Sequence, residues 1–184
     1  MEYALTQPAG LASLILADSC ASIPLWAAEA RRLVTELPPE VQQVIQQNET
    51  AGTTDSPEYI EACKAFSRRH LSRRIDPLPE CLQRIADKPG DEVYQTMWGP
   101  SEWCATGSLK DWDITNRLDE IRLPALVIGG RYDEATPVIT EALHRGIAGS
   151  EWVIFLSSGH FPHLEETERY LEILDCFLER VESR

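Results

Sequence analysis

Positive charge is scarce in this sequence. Seventeen lysines and arginines stand against thirty aspartates and glutamates, a formal net charge of −13 at pH 7. Such a surface repels phosphate backbones and anionic lipid headgroups, so neither nucleic acid nor a membrane is an expected partner. It would attract a cationic group such as a peptide N-terminus, although acidity also serves plain solubility. Long hydrophobic runs are missing too: nothing approaches the ~20 apolar residues of a bilayer span. Met1-Glu2-Tyr3 lacks the basic start of a secretion signal, and no A-x-A site follows an apolar core. The five cysteines, Cys20, Cys63, Cys81, Cys104 and Cys176, are odd in number and form no C-x-x-C pair. That pattern argues against a disulfide framework and a zinc site. Free thiols fit a reducing compartment, so the expected location is the cytoplasm. Internal repeats and low-complexity tracts are likewise absent.

What is present is a chain of 184 residues, 43% hydrophobic and 26% charged, enough for one globular domain with a real core. Met1 to Gln7 reads as the last turns of a helix, stopped at Pro8. Leu11 to Ala17 is a short apolar run between Gly10 and Asp18, suited to a strand buried on both faces. A polar, helical stretch follows. Pro24 to Leu37 carries Leu25, Ala28, Leu33 and Leu37 near helical spacing, with a break at Pro38-Pro39. Glu40 to Asn48 and Ser56 to His70 read as further helices. Asp76-Pro77-Leu78-Pro79 is a break, and one or two short helices lead to Trp98. The period then changes. Ala125 to Gly130 and Glu151 to Leu156 read as strands, and Pro137 to Arg145 as a helix between them. Glu165 to Glu182 reads as a long amphipathic helix with Leu171, Leu174, Phe177, Leu178 and Val181 on one side. Strands alternating with helices imply a parallel sheet, hence an α/β fold.

In open α/β sheets, ligands bind beyond the carboxyl ends of the strands. The second strand runs into Arg131-Tyr132-Asp133-Glu134, the third into Ser157-Ser158-Gly159-His160. An aspartate after one strand and a histidine after the next is the acid–base half of a Ser-His-Asp triad, in the chain order of the α/β-hydrolases. Taken singly, Asp133 could be only a helix cap and His160 only a loop histidine. Their pairing at consecutive strand ends points to catalysis, and Gly159 beside His160 permits the tight turn that presents the ring.

The stretches Gly130 to Pro137 (GRYDEATP) and Ser158 to Glu166 (SGHFPHLEE) resemble the acid and histidine motifs of the proline iminopeptidases, serine aminopeptidases of the α/β-hydrolase fold that release N-terminal proline or related residues. Trp98 to Trp103 (WGPSEW), Gly107 to Thr115 (GSLKDWDIT) and Met1 to Pro8 (MEYALTQP) extend the resemblance over the whole chain. It implies a partial α/β-hydrolase fold: residues 1–19 and 116–184 form part of the core, with three parallel strands and flanking helices, and residues 20–115 form an inserted helical cap. It implies Asp133 as triad acid and His160 as triad base. Glu134 and Glu102 would hold the terminal amine of a small peptide substrate, as two carboxylates converging on a cation should. Trp98, Trp103 and Tyr132 would wall a proline pocket, a role that ordinary packing under the cap rivals. His144 and His163 read as structural or surface residues. No cofactor or metal is implied.

The chain departs from the family in one respect: no G-x-S-x-G nucleophile turn exists in it. Ser157 and Ser158 are poor substitutes, since they sit on the histidine's own loop. The expectation is therefore the C-terminal part of such an enzyme, inactive alone, with an unpaired edge at the first strand that promotes self-association. Two alternatives stand beside it: a remnant that binds peptide or a partner chain without cleavage, and another α/β-hydrolase such as an esterase or epoxide hydrolase, which would need no amine clamp.

Overall fold

The computed structural model describes residues 1–73, 77–86 and 90–183. In chain order the elements are α1 (Glu2–Leu5), β1 (Leu14–Ala17), α2 (Ile23–Val34), α3 (Pro39–Ala51), α4 (Pro57–His70), α5 (Glu80–Ala86), α6 (Asp91–Met97), a 3-10 turn (Thr115–Glu120), β2 (Ala125–Gly130), α7 (Pro137–Gly146), β3 (Glu151–Phe155), α8 (Pro162–Glu165) and α9 (Thr167–Glu182). The three strands form one parallel sheet in the order β1-β2-β3. Of the expected break at Asp76-Pro77-Leu78-Pro79, Asp76 lies outside the described residues.

β2 is the centre. All six of its residues are buried, because the sheet is covered on both faces. Val127 joins Leu16, Leu118, Leu143 and Ile147 on one face. Leu126 and Ile128 join Phe155 and Phe177 on the other. A four-residue β1 is shorter than the apolar run Leu11–Ala17. Leu14 is already opposite Ala125, where β2 begins, so residues 11–13 have no strand to pair with. Parallel pairing turns alternate backbone groups toward β2, which leaves those of Ile15 and Ala17 on the outer edge.

The C-terminal helix is interrupted at Glu166, and its buried stripe differs from the expected one. Tyr170, Ile173, Leu174, Phe177 and Val181 pack on the sheet, whereas Leu171 and Leu178 are exposed. Likewise α2 buries Ile23, Trp26, Ala30, Leu33 and Val34, while Ala28 is exposed. Both helices are wide-faced enough that apolar count alone mislocates the stripe; the neighbour decides it. Ser22 caps α2, its Oγ accepting from Leu25 N–H at 3.3 Å, a contact whose loss typically costs ~1 kcal/mol.

The helical stretch leaves and re-enters the sheet region at one place. Ile23 N–H donates to Trp112 O at 2.9 Å and Ile114 N–H to Ala21 O at 2.8 Å, and Ser22 Oγ donates to Asp113 Oδ2 at 2.8 Å. Between these points α2, α3 and α4 build a separate core around Trp26, Ile45, Tyr59, Phe66 and Trp103, joined to α7 through Ile139.

Candidate active site

The site lies where the loops after β2 and β3 meet the end of α4. Tyr132 N–H donates to Ser158 O at 3.0 Å, and Arg131 N–H to Phe155 O at 2.9 Å. His160 N–H is shared between His70 O at 3.1 Å and Leu71 O at 2.9 Å, the carbonyls of the last residue of α4 and of its C-cap. His70 itself donates from Nδ1 to Tyr132 O at 3.0 Å, a carbonyl that can only accept. Burial lowers the His70 pKa, consistent with a neutral ring. The acidic pair at the C-terminal end of α8 locks the histidine loop from the other side. Glu166 Oε2 accepts from Ser157 N–H at 3.0 Å and Ser158 Oγ at 2.6 Å, and Glu165 Oε2 accepts from Gly159 N–H at 2.6 Å. Ser158 is therefore committed to structure.

Two glycines allow this approach. A Cβ on Gly130 would stand 2.0 Å from Gly159 O, and one on Gly159 would stand 2.6 Å from His70 O and 2.8 Å from Leu71 O. These are backbone atoms, which cannot swing aside. Gly159→Ala should therefore cost ~2–4 kcal/mol of unfolding free energy, in the range of backbone strain and overpacking. Urea denaturation measures it, and a loss under ~0.5 kcal/mol, the ordinary surface value, would show that the loop yields.

His160 Nδ1 and Asp133 Oδ1 are 2.8 Å apart. The same Oδ1 accepts from Ala135 N–H at 2.9 Å. The Asp133 side chain is fully buried while that of His160 keeps 25% of its surface, so the carboxyl is sealed beneath and the ring opens outward. An ionised carboxylate at Nδ1 holds the proton there and leaves Nε2 bare. Burial opposes the imidazolium, but the hydrogen bond and charge of Asp133, with Glu102, outweigh it and the pKa is raised.

Two more carboxyls converge on this pair. Glu134 is buried, and its Oε2 has no partner among the described residues. Burial, then the charges of Glu102 and Asp133, raises its pKa well above the carboxylate range. Glu102 accepts a 2.6 Å hydrogen bond from Tyr94 Oη. Burial raises its pKa, while Tyr94 and the nearby His160 pull the other way. Among the described residues, neither Glu134 nor Glu102 has a lysine or arginine as a charge partner.

The aromatic residues divide. Trp98 packs edge-on to Trp26, with centroids 5.5 Å apart, and Trp26 stands edge-on to the His160 ring at 6.4 Å. Tyr132 lies under Arg73, whose guanidinium carbon is 3.8 Å from the ring centre. Trp103 is buried against Phe66 at 4.8 Å and donates from Nε1 to Glu49 Oε1 at 2.8 Å, so it is a packing residue of the helical core. Sequence reasoning did not single out Trp26, Tyr94 or His70. Each lies in the helical stretch, where nothing in local pattern marks a residue as facing the strand ends. Cys20 is near the carboxyls, but burial pushes its thiol up to about 11, so it stays neutral and is no ready nucleophile.

No protein-family model matches the chain. The proline iminopeptidase of Heyndrickxia coagulans is 39% identical over 180 residues, covering 97% of this chain and 62% of that protein. Among solved structures, VinJ superposes with a TM-score of 0.90 at 38% identity, over 98% of this chain and 61% of the other. The proline iminopeptidase of Mycobacterium smegmatis gives a TM-score of 0.83 at 36% identity, over 98% and 60%. The chain thus spans about three fifths of the length of the relatives it matches. Likeness of this depth along nearly every residue means that the chain belongs to the proline iminopeptidase family of α/β-hydrolases, as part of a member's length.

Proposed function

We propose that this chain carries the acid–base and amine-binding parts of a serine aminopeptidase of the proline iminopeptidase type. The observation that supports the reading best is the convergence of Glu134 and Glu102 on the His160–Asp133 pair. A serine hydroxyl, which no G-x-S-x-G turn of this sequence supplies, would lose its proton to His160 Nε2 as its oxygen attacks the peptide carbonyl. His160 would then return that proton to the leaving amine, with Asp133 stabilising the imidazolium between the two transfers. This acid–base chemistry needs no metal or cofactor. The 184 residues alone would bind substrate without turning it over.

The carboxyl cage fits a cationic substrate end. Without a ligand, Glu134 keeps its proton, since burial disfavours its charge. An arriving ammonium supplies the missing partner, and Glu134 ionises as it binds. An ester or lactone substrate has no use for this device, and so the aminopeptidase reading is preferred to the esterase one.

The test is ligand binding to the chain itself, followed by NMR. Prolinamide, with a charged amine, should bind saturably and shift the His160 ring signals; N-acetylprolinamide should not. Glu134→Gln should weaken prolinamide by ~10-fold to ~100-fold, the loss expected for one charged hydrogen bond. Equal affinity for the two ligands, or binding of neither, would sink the amine-clamp role and reduce the assignment to a generic hydrolase.

A further inference from the structure

β1 ends at Ala17, and the next residue turns sharply. Asp18 has φ 48°, in the left-handed region that favours glycine and is tolerated by few other residues, aspartate among them. Its N–H nevertheless stays on the sheet, donating to Ile128 O at 2.9 Å. The turn holds the Asp18 carboxyl at the carboxyl end of β2, within hydrogen-bonding reach of Asp133. Oδ1 of Asp18 and Oδ2 of Asp133 are both buried, and neither has an N–H or O–H donor among the described residues.

Two carboxylates side by side in a buried place cannot both ionise, so one keeps a proton. Asp133 receives the hydrogen bonds that favour charge, from His160 Nδ1 and from Ala135 N–H. Asp18 receives neither. We propose that Asp18 is a positioning residue for the His160–Asp133 pair: its carboxyl is protonated at neutral pH and donates a hydrogen bond to Oδ2 of Asp133. The second oxygen of Asp133 then has a donor of its own, and the carboxylate is held with Oδ1 toward the imidazole. The pKa of Asp18 agrees, pushed up to about 10 by burial first and then by Asp133 and Glu165. The titratable groups facing Asp18 are Asp133, Glu165 of α8 and the Tyr170 hydroxyl of α9, with His160 one hydrogen bond further. Its bearing on catalysis rests on the acid–base roles proposed above; its protonation does not.

The unmodified chain supplies the first readout, a carbon-13 titration of its carboxyl groups, with the Asp18 signal assigned from its loss in Asp18→Asn. The signal should be that of a neutral acid from about pH 5 to about pH 8, where an ordinary aspartate is ionised. The second readout is the His160 pKa. Asp18→Asn keeps a neutral donor, so the His160 pKa should stay within ~0.3 unit of the parent, whereas Asp18→Ala, without a donor, should move it by more than that. An Asp18 carboxyl that titrates near pH 4, or a fall of about one unit in the His160 pKa with Asp18→Asn, would mean that Asp18 is ionised and overturn the proposal. Neither readout needs a ligand or turnover. A chain that retains the Asp18 proton but fails to bind prolinamide would sink the functional reading and leave this one standing.

Discussion

Replacing Asp133 by asparagine is expected to lower turnover by about 10⁴-fold in a protein that joins this segment to a serine nucleophile. The substitution changes little in size, so the cost is electrostatic. Oδ1 of Asp133 accepts both His160 Nδ1 and Ala135 N–H. An asparagine amide has one acceptor oxygen and no charge. If its NH₂ turns to the ring, the imidazole takes the other tautomer, with its proton on Nε2, and cannot accept one from serine. If its oxygen turns to the ring, the imidazolium still loses its counter-charge. The chain itself reports the same loss without catalysis. The raised His160 pKa is held up by Asp133 against burial, so Asp133→Asn should drop it to or below the ordinary value of about 6.5. An imidazole that titrates unchanged in the variant, together with less than ~10-fold loss of turnover, would remove Asp133 from the acid role. Glu134→Gln should act differently, weakening amine capture while leaving the imidazole poised.

Stability is expected to fall as the pH rises from about 7 to about 9, by ~1.4 kcal/mol per pH unit for each proton the folded chain holds in excess. Asp18, at about 10, and Glu134, raised well above its ordinary value, keep protons in the folded state that the unfolded chain has already lost. His160 works in the same direction. Its folded pKa is raised, so its contribution is fully present below about 6.5 and is lost as the pH climbs through the folded value. Cys20 and Cys63, pushed up to about 11 mainly by burial, extend the trend upward. His70 and His163, lowered by burial, oppose it only below about 6.5, where an unfolded histidine would charge. Carboxylates lowered by donors, such as Asp113 beside Thr115 and Glu120 beside Arg117, matter only in acid, where their contribution is lost. Urea melts at pH 7, 8 and 9, in enough salt to screen the net charge, give the slope. A flat or rising profile would mean that Asp18 and Glu134 are both ionised, and Glu134→Gln should lessen the slope while leaving the share of Asp18.

Residues with strong local signals were legible from the chain alone. Ala125–Gly130 is all apolar and ends in two glycines, and it is the central strand to the residue. Asp133 and His160 could be singled out as a pair because each follows a strand, and the structure brings them within 2.8 Å of each other. Glu102 and Glu134 came from family likeness, since a glutamate in a loop has no pattern of its own. Asp18 was read only as a boundary. Its importance depends on which strand lies beside β1 and where the loop after β2 turns, and neither is a local property.

The sequence by itself determined the alternation of strands and helices, the parallel sheet and the placing of Asp133 and His160 after consecutive strands. Those follow from hydrophobic period and turn residues, which act over a few positions along the chain. The tertiary structure decided which apolar stripe of α2 and α9 is buried, where Glu166 breaks the last helix, and that Trp103 packs inside while Trp26 faces the histidine. It also decided the protonation of the site. A carboxyl's charge depends on burial and on neighbours brought from distant parts of the chain: Asp18 meets Asp133, and Glu102 meets Glu134, only when β1, the helical stretch and the loop after β2 close on one another.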